Sequence, residues 1–491
     1  MTMHSLRPFH ADPANHTIAR VAFASTDGDR LDHPTRQRAL GCLIGAAVGD
    51  ALGAPFEFQA AGRYSTQFPT PFLGGRGELV GGGTFGWAPG EFTDDTQMAL
   101  ALALSVVDRF GYDADHVWES WRTWRRHASD VGVTTSHALS FPSWREVEHR
   151  HIDSTVANGA LMRSFPLALV TLDLDDSVAR RVVLHQASLT HHHPAAGWGA
   201  WLAVSAMRAA IRGHDPFSAV DAELALVPDG IVEQFASVLS PSWEPDHDRR
   251  SNGEVWTCLA QAMWAVRQTR SFDEAVVAAI DLGGDTDTVA CVTGALAGAR
   301  YGIQSIPSRW TTYVHGHVEL PDGRRTFRYP DLLRLGHQLL GLDHPNQPSN
   351  EPPAGPLEVA DGVHAANLLG AASTFPDWGV VSMCRTDGFF AAHDIRRQIY
   401  MIDREGDRNA ALDHAVRDAV RSIEAFRLEG RPVVVHCHGG RSRTGLVLKA
   451  WHMTRTGCSE REAHEWLAER WPLYADYNRT FVDYLRRADF G

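Results

Sequence analysis

The longest apolar pattern in the chain opens near residue 37. In TRQRALGCLIGAAVGDALGAPFEF the apolar positions Leu40, Leu43, Ile44, Ala47, Val48, Ala51 and Leu52 recur at helical spacing, which predicts a helix that Pro55 ends. Gly45 and Gly49, four apart, would let another backbone approach closely. Asp50 and Glu57 stand seven apart and would share a face only if the helix ran past Pro55. Further helical patterns are expected at 97–109, 114–127, 195–212, 254–268, 272–282 and 288–301. No alternating strand stands out in this part, which reads as all-α. Near residue 341 the texture changes, and GLDHPNQPSNEPPAGPLEVADG carries five prolines and little apolar content. Beyond it short β-branched or apolar runs, VVSMC (380–384), IYMI (399–402) and VVVH (433–436), alternate with helical segments at 409–427, 444–456, 459–470 and 476–488. That alternation predicts a small α/β domain with a largely parallel sheet. The expected division is a loose leader (1–36), an all-α domain (37–342), a Pro-rich linker (343–365) and the α/β domain (366–491).

A chain of 491 residues is too long for one ordinary core, in keeping with that division. The net charge of -13 is uneven: residues from Ala366 onward sum to +1, and the preceding part to -14. An acidic N-terminal part disfavours nucleic acid and anionic membrane as partners, because both need a basic footprint. The six cysteines include no CxxC pair, which points to a reducing, cytoplasmic setting. The apolar run Ala39–Phe56 is broken by Asp50 and four glycines, so it is not expected to span a membrane.

Two acidic motifs carry the first candidate chemistry. GGDTDT (Gly283–Thr288) and TDDT (Thr93–Thr96) each open a small-residue or apolar helical run. Taken singly, each reads as a helix cap, since Thr and Asp cap N-termini and first-turn acids suit the helix dipole. Taken together they exceed what two caps require. Four carboxylates brought to one spot raise one another's pKa, and a hard divalent cation with oxygen ligands resolves the conflict.

GCLIGAAVGDALGAPFE, TDDT, ANGALMR, LTHHHP and GGDTDTVACVTGALAGARYG, in this order, resemble the ADP-ribosylglycohydrolase family over about 37–342. The resemblance implies an all-α fold and two Mg²⁺ ions, or Mn²⁺ in some members. It implies Thr93, Asp94, Asp95, Asp285, Asp287 and Thr288 as ligands. Glu57 matches the family's mobile glutamate, with a role in contacting metal or in acid–base work. Thr155, Asn158 and Gly159 match the family's substrate loop, with Ala157 standing where relatives carry glycine, and His191 matches a ligand-side histidine. For His192 and His193 a solvated or capping role is expected, because consecutive residues rarely face one ion.

The second candidate centre is PVVVHCHGGRSRTGLVLKAWHM, a strand, a glycine-bearing loop and a helix with the spacing C-x5-R-T. Backbone N–H groups of Gly439, Gly440 and Ser442 and a helix N-terminus would converge on a phosphate there. The same field favours Cys437 as a thiolate nucleophile, Arg443 as a bidentate clamp and Thr444 as a donor to the leaving sulfur. The stretch resembles the cysteine-dependent dual-specificity (tyrosine-type) phosphatases over about 366–491. That family uses an upstream Asp as general acid, which implies Asp403, with Asp407 in reserve. His438 and Arg441 add positive charge that would favour a small or multiply charged anion.

The expected function is a bifunctional hydrolase. A Mg²⁺-dependent site would cleave an ADP-ribosyl N- or O-glycosidic bond on a protein or a small ADP-ribose derivative, and a cysteine site would cleave a phosphate ester. Nucleic acid enters only as a modified substrate. The alternatives are that one domain is a non-catalytic ADP-ribose or phosphate binder, or that the C-terminal cysteine handles sulfur or arsenate, as in rhodanese-like domains.

Overall fold

The structure is a computed structural model that describes residues 18–23, 31–147, 156–245, 251–342, 351–386, 388–406 and 408–490. Thr155 and Asp407 lie outside the described residues, as does most of the leader. The chain forms two compact units. One comprises Met1–Thr70, Leu79–Ile303 and Val314–Asp343, the other Pro71–Glu78, Gln304–Tyr313 and His344–Gly491. The second unit thus takes two short segments from within the span 37–342.

The first unit is helical. Its central pair is α1 (His33–Gly53) and, much later in the chain, the helix Thr286–Tyr301. The core helices between them are α2 (Asp94–Arg109), α3 (Ala114–Arg125), α4 (Asp176–Ser188), α5 (Pro194–Ile211), α6 (Val255–Gln268) and α7 (Phe272–Ile280), and Thr286–Tyr301 is α8. α1 is long and apolar enough to cross a membrane, yet its whole apolar window is buried inside the protein as a core helix. Its glycines form the contact with α8. A Cβ on Gly45 would lie 2.2 Å from the Gly294 carbonyl oxygen, one on Gly49 2.0 Å from that of Ala290, and one on Gly53 2.4 Å from that of Thr286. Only bare backbone lets the two helices approach this closely. The helix ends as Pro55 predicts, in a 3₁₀ turn at Ala54–Phe56.

Strands are present in this unit as well, where none was expected. β1 (Arg20–Ala22) pairs antiparallel with β2 (Gly111–Asp113). The hairpin of β3 (His315–Leu320) and β4 (Gly323–Arg328) leads into α9 (Tyr329–Leu339). β3 alternates half-buried and buried residues along its length. Its polar HGHVEL composition, with a glycine and two histidines, hid that period.

The second unit holds a five-stranded sheet. Its strands are β5 (Leu357–Ala360), β6 (Val363–Asn367), β7 (Gly379–Ser382), β8 (Arg396–Gln398) and β9 (Val433–Cys437), in the order β5-β6-β9-β7-β8. All neighbours are parallel except β5–β6. β5 falls inside the stretch read as linker. The expected strand at 399–402 is not one: pairing with β7 uses Arg396–Gln398, just upstream. Its longer helices are α10 (Leu412–Leu428), α11 (Ser442–Thr456), α12 (Glu460–Ala468) and α13 (Arg479–Arg487).

The two borrowed segments are integral to this unit. The buried Arg397 donates to the carbonyls of Leu73 (2.8 Å) and Gly75 (2.9 Å) and to the Tyr313 hydroxyl (3.2 Å). Glu78 Oε2 accepts from Arg309 Nε (2.9 Å) and Trp310 Nε1 (2.6 Å). Ser308 N donates to Asp418 (2.9 Å).

Candidate functional sites

In the first unit the tertiary structure brings TDDT and GGDTDT together. Thr93 and Asp285 occupy the N-cap positions of α2 and α8, and neither side chain makes a cap bond. The capping role on α2 is filled by Asp50, reaching across from α1. Its fully buried carboxylate accepts from Thr93 N (2.9 and 3.1 Å), Thr96 N (3.1 Å) and Thr96 Oγ1 (2.5 Å). That leaves the Thr93 hydroxyl to serve the acids, and the Thr288 hydroxyl of α8 does the same. Thr93 Oγ1 donates to Asp95 (3.2 Å) and Asp287 (3.4 Å), and Thr288 Oγ1 to Asp95 (3.4 Å).

The carboxylates form two overlapping sets that share Asp287. In one, oxygens of Asp94, Asp95 and Asp287 lie within 4.8 Å of one another; in the other, those of Glu57, Asp285 and Asp287 do so. Glu57 Oε2 and Asp95 Oδ1 are buried with no hydrogen-bond partner. Such buried acceptors are costly unless a cation completes them, so the donor set fits hard divalent ions. Electrostatics agrees. Burial, reinforced by Asp130, Asp285 and Asp50, pushes Glu57 up to about 8. Burial and their acidic neighbours hold Asp94, Asp95 and Asp287 well above the usual carboxylate range. Asp130, raised to about 6 by burial and by Asp285, belongs to this field and escaped the sequence reading, because it sits in a loop without a motif.

The residues expected to meet substrate lie in loops and at a helix start beside the carboxylates. Asn158 Nδ2 donates to Asp285 (2.8 Å) and to the Asn252 carbonyl (3.0 Å). Asn252, also not anticipated, organises the second motif: its Oδ1 accepts from Asp285 N (3.0 Å) and its Nδ2 donates to Gly283 O (2.8 Å). Gly284, at φ +74°, faces Asn252 so closely that a Cβ would lie 2.4 Å from Oδ1. Gly159 lies against the ring of His191, where a Cβ would meet Cε1 and Nε2 at 3.0 Å. His191 Nδ1 is bonded to the Thr190 hydroxyl at 2.8 Å. His193 Nδ1 accepts from Ala195 N (3.2 Å) and caps α5, as the capping expectation had it.

In the second unit β9 delivers Cys437 to the loop His438–Arg441, from which α11 starts at Ser442. The loop is braced from outside. Trp471 Nε1 donates to Gly440 O (2.6 Å) and Leu368 N to His438 O (3.2 Å). Gly440, at φ +66°, approaches Ala366 O so closely that a Cβ would sit 2.8 Å away. Arg443 is tethered through Nη1 to the carbonyls of Met383 (2.6 Å) and Met401 (3.2 Å), while its Nε is buried with no hydrogen-bond partner. Thr444 Oγ1 is likewise buried without a partner. Two unspent donors beside a buried cysteine suit an oxyanion. Asp403 lies 3.8 Å from Arg443 Nε. Behind the loop, burial lowers His436 to about 3, and its Nε2 bonds Ser382 Oγ at 2.7 Å. Arg441 adds less charge than expected, since it pairs with Glu351 (3.4 Å).

Residues 31–348 match the family model described as ADP-ribosylglycohydrolase, and residues 382–486 match that of the dual specificity phosphatase catalytic domain. Among curated relatives, ADP-ribosyl-[dinitrogen reductase] glycohydrolase of Rhodospirillum rubrum is 32% identical over 62% of this chain and 97% of its own length. ADP-ribosylarginine hydrolase Tri1 of Pseudomonas putida is 32% identical over 56% of this chain and 74% of its own. ADP-ribosylhydrolase ARH3 of Danio rerio is 25% identical over 61% and 91%. With more than half of its 491 residues matched, and with the acid pairs of both helix starts converged on one site, the chain belongs to the ADP-ribosylglycohydrolase family and carries a dual-specificity phosphatase domain behind it.

Proposed function

We propose that the chain is a bifunctional hydrolase in which a divalent-cation site cleaves an ADP-ribosyl glycosidic bond and Cys437 cleaves a phosphate ester. The first half of this reading is carried by the two carboxylate sets that share Asp287, with unspent oxygens on Glu57 and Asp95. Thr93, Asp94, Asp95, Asp285, Asp287 and Thr288 would hold two Mg²⁺ or Mn²⁺ ions. When bound, such ions supply Lewis-acid polarisation and charge compensation at the ribose. The bond at the anomeric carbon breaks with oxocarbenium character, so proton management falls to the protein. Glu57, whose carboxylate lies beside those of Asp285 and Asp287, would contact the ions or serve in acid–base work at the leaving group. Asn158, Gly159 and His191 would orient the ADP-ribosyl group. The relatives' names speak for acceptors such as arginine on a modified protein.

The second half is carried by the unspent donors of Arg443 and Thr444 beside Cys437. Cys437 Sγ would attack phosphorus while the bond to the leaving oxygen breaks and Asp403 gives that oxygen its proton. Water would then attack phosphorus, Asp403 taking the proton back, and the P–S bond would break with Thr444 Oγ1 donating to sulfur. Backbone amides of Gly439, Gly440 and Ser442 and the Arg443 Nε would hold the equatorial oxygens.

Paired variants test both halves. Asp287→Ala is expected to lower ADP-ribosyl hydrolysis by at least 100-fold in Mg²⁺ buffer and leave aryl phosphate turnover intact, and Cys437→Ser to do the reverse. Normal ADP-ribosyl hydrolysis by Asp287→Ala would refute the metal site, and vanadate-insensitive turnover of aryl phosphate would refute the cysteine mechanism.

A further inference from the structure

Four consecutive residues ahead of and at the start of α13 grip the loop that carries Asp403. Tyr477 Oη donates to Asp403 Oδ2 (2.8 Å) and Asn478 Nδ2 to Asp403 Oδ1 (3.1 Å). Arg479 N donates to Glu405 Oε1 (3.1 Å), and Gly406 N donates to Thr480 Oγ1 (2.9 Å). The strap is itself anchored, because Asn478 is buried and its Oδ1 accepts from Phe481 N as the N-cap of α13. The other end of the loop is fixed by Asn409, which exchanges bonds with Ile402 N (2.8 Å) and Ile402 O (2.9 Å).

We propose that Tyr477 is a positioning residue for the leaving-group acid, aiming the Asp403 carboxyl and compensating the charge that Asp403 acquires as its proton departs. The inference rests on the reading of Asp403 as that acid. A hydrogen bond to a carboxylate is stronger than one to a neutral carboxyl, so the Tyr477 bond tightens as the proton moves to the leaving oxygen. Toward an ionised Asp403, which can only accept, the tyrosine hydroxyl is the donor. The ionisable groups that face this pair are Arg443, from the start of α11, and Cys437. Glu405 is turned away onto Arg479 N. Nothing in the C-x5-R-T motif indicates Tyr477. It lies 40 residues past Cys437 and meets Asp403 only through the fold.

The test is a pH–rate profile of the full chain with two aryl phosphates, one with a good and one with a poor leaving group. Tyr477→Phe keeps the ring and, at a residue that is 55% exposed, removes only the hydroxyl. The descending limb of kcat/KM for the poor leaving group is expected to move up by about one pH unit, the order of one charge-assisted hydrogen bond. In the plateau below the limb, kcat is expected to fall about 10-fold for the poor leaving group and less than 2-fold for the good one. Asp403→Asn separates the two readings, since it should abolish the descending limb. If the limb survives Asp403→Asn, Asp403 is not the acid and the mechanism proposed above is wrong at that point. If Asp403→Asn removes the limb but Tyr477→Phe leaves it in place, or affects both leaving groups equally, Tyr477 has no positioning role.

Discussion

Asp50 does the capping that the residues of TDDT, by their place at the start of α2, are positioned to do. Its carboxylate occupies the amides at the start of α2, which frees the Thr93 hydroxyl to face Asp95 and Asp287. Burial raises Asp50 to about 6, against the opposing pull of the bonds from Thr96 and Thr93, so the bonds hold in place a carboxylate that burial disfavours. Asp50→Ala leaves the Thr93 and Thr96 amides and the Thr96 hydroxyl without their acceptor. A loss of roughly 2–4 kcal/mol in chemical denaturation is expected, from buried donors left unmade. Mg²⁺ affinity should fall with it, because the start of α2 loses its anchor. An unchanged denaturation midpoint would contradict the capping role.

At the scale of elements, the packing of α1 on α8 places the carboxylate sets that share Asp287. The glycine seam brings the backbones together along both helices, and α8 begins at its end, with Asp285 as N-cap and Asp287 in the first turn. Gly49→Ala puts a methyl 2.0 Å from the Ala290 carbonyl oxygen, a clash that only helix displacement relieves. Overpacking of this kind typically costs about 1–3 kcal/mol, and here it also spreads the carboxylate sets. The expected result is a lower thermal midpoint together with weaker divalent-ion binding by calorimetry. An exposed glycine such as Gly62, with nothing within 4 Å of a Cβ, is not a fair control, because its φ of +73° strains any side chain. Gly132, open and with φ outside the left-handed region, is the proper one.

For the molecule as a whole, the proposed cation site would link ion binding to folding. A cation that binds only the folded first unit stabilises it by about 2.7 kcal/mol at one hundred times its dissociation constant. Adding Mg²⁺ or Mn²⁺ is therefore expected to raise the unfolding midpoint of the full chain by several degrees, and Asp287→Ala to abolish that rise. The second unit has its own dependence on pH. Buried His436 is lowered to about 3, below its unfolded value near 6.5, so the unfolded state binds the extra proton between those values. Its contribution is complete above pH 6.5 and is lost as pH falls toward 3, by at most about 1.4 kcal/mol per pH unit.

Much of this was legible from the residues. The helix from 37 with its glycines, the two acidic motifs, and the strand–loop–helix around Cys437 all announce themselves locally, because periodicity and motif spacing are properties of neighbouring residues. Helix ends shifted by a few residues, as at Asp94 and Thr286, where the motif itself supplies the first turn. The failures were long-range. Strand β8 was sought at the apolar IYMI rather than at RRQ, whose Arg397 is buried only because Leu73, Gly75 and Tyr313 supply its acceptors. Asp130, Asn252 and Tyr477 carry no motif and gain meaning from what the fold sets beside them. The sequence by itself thus determined which groups are able to do chemistry, since residue type and local spacing fix donors, acceptors and nucleophiles. Only the tertiary structure decided which of them meet and which are left without a partner, because close backbone approach, burial and remote capping depend on residues far apart in the chain.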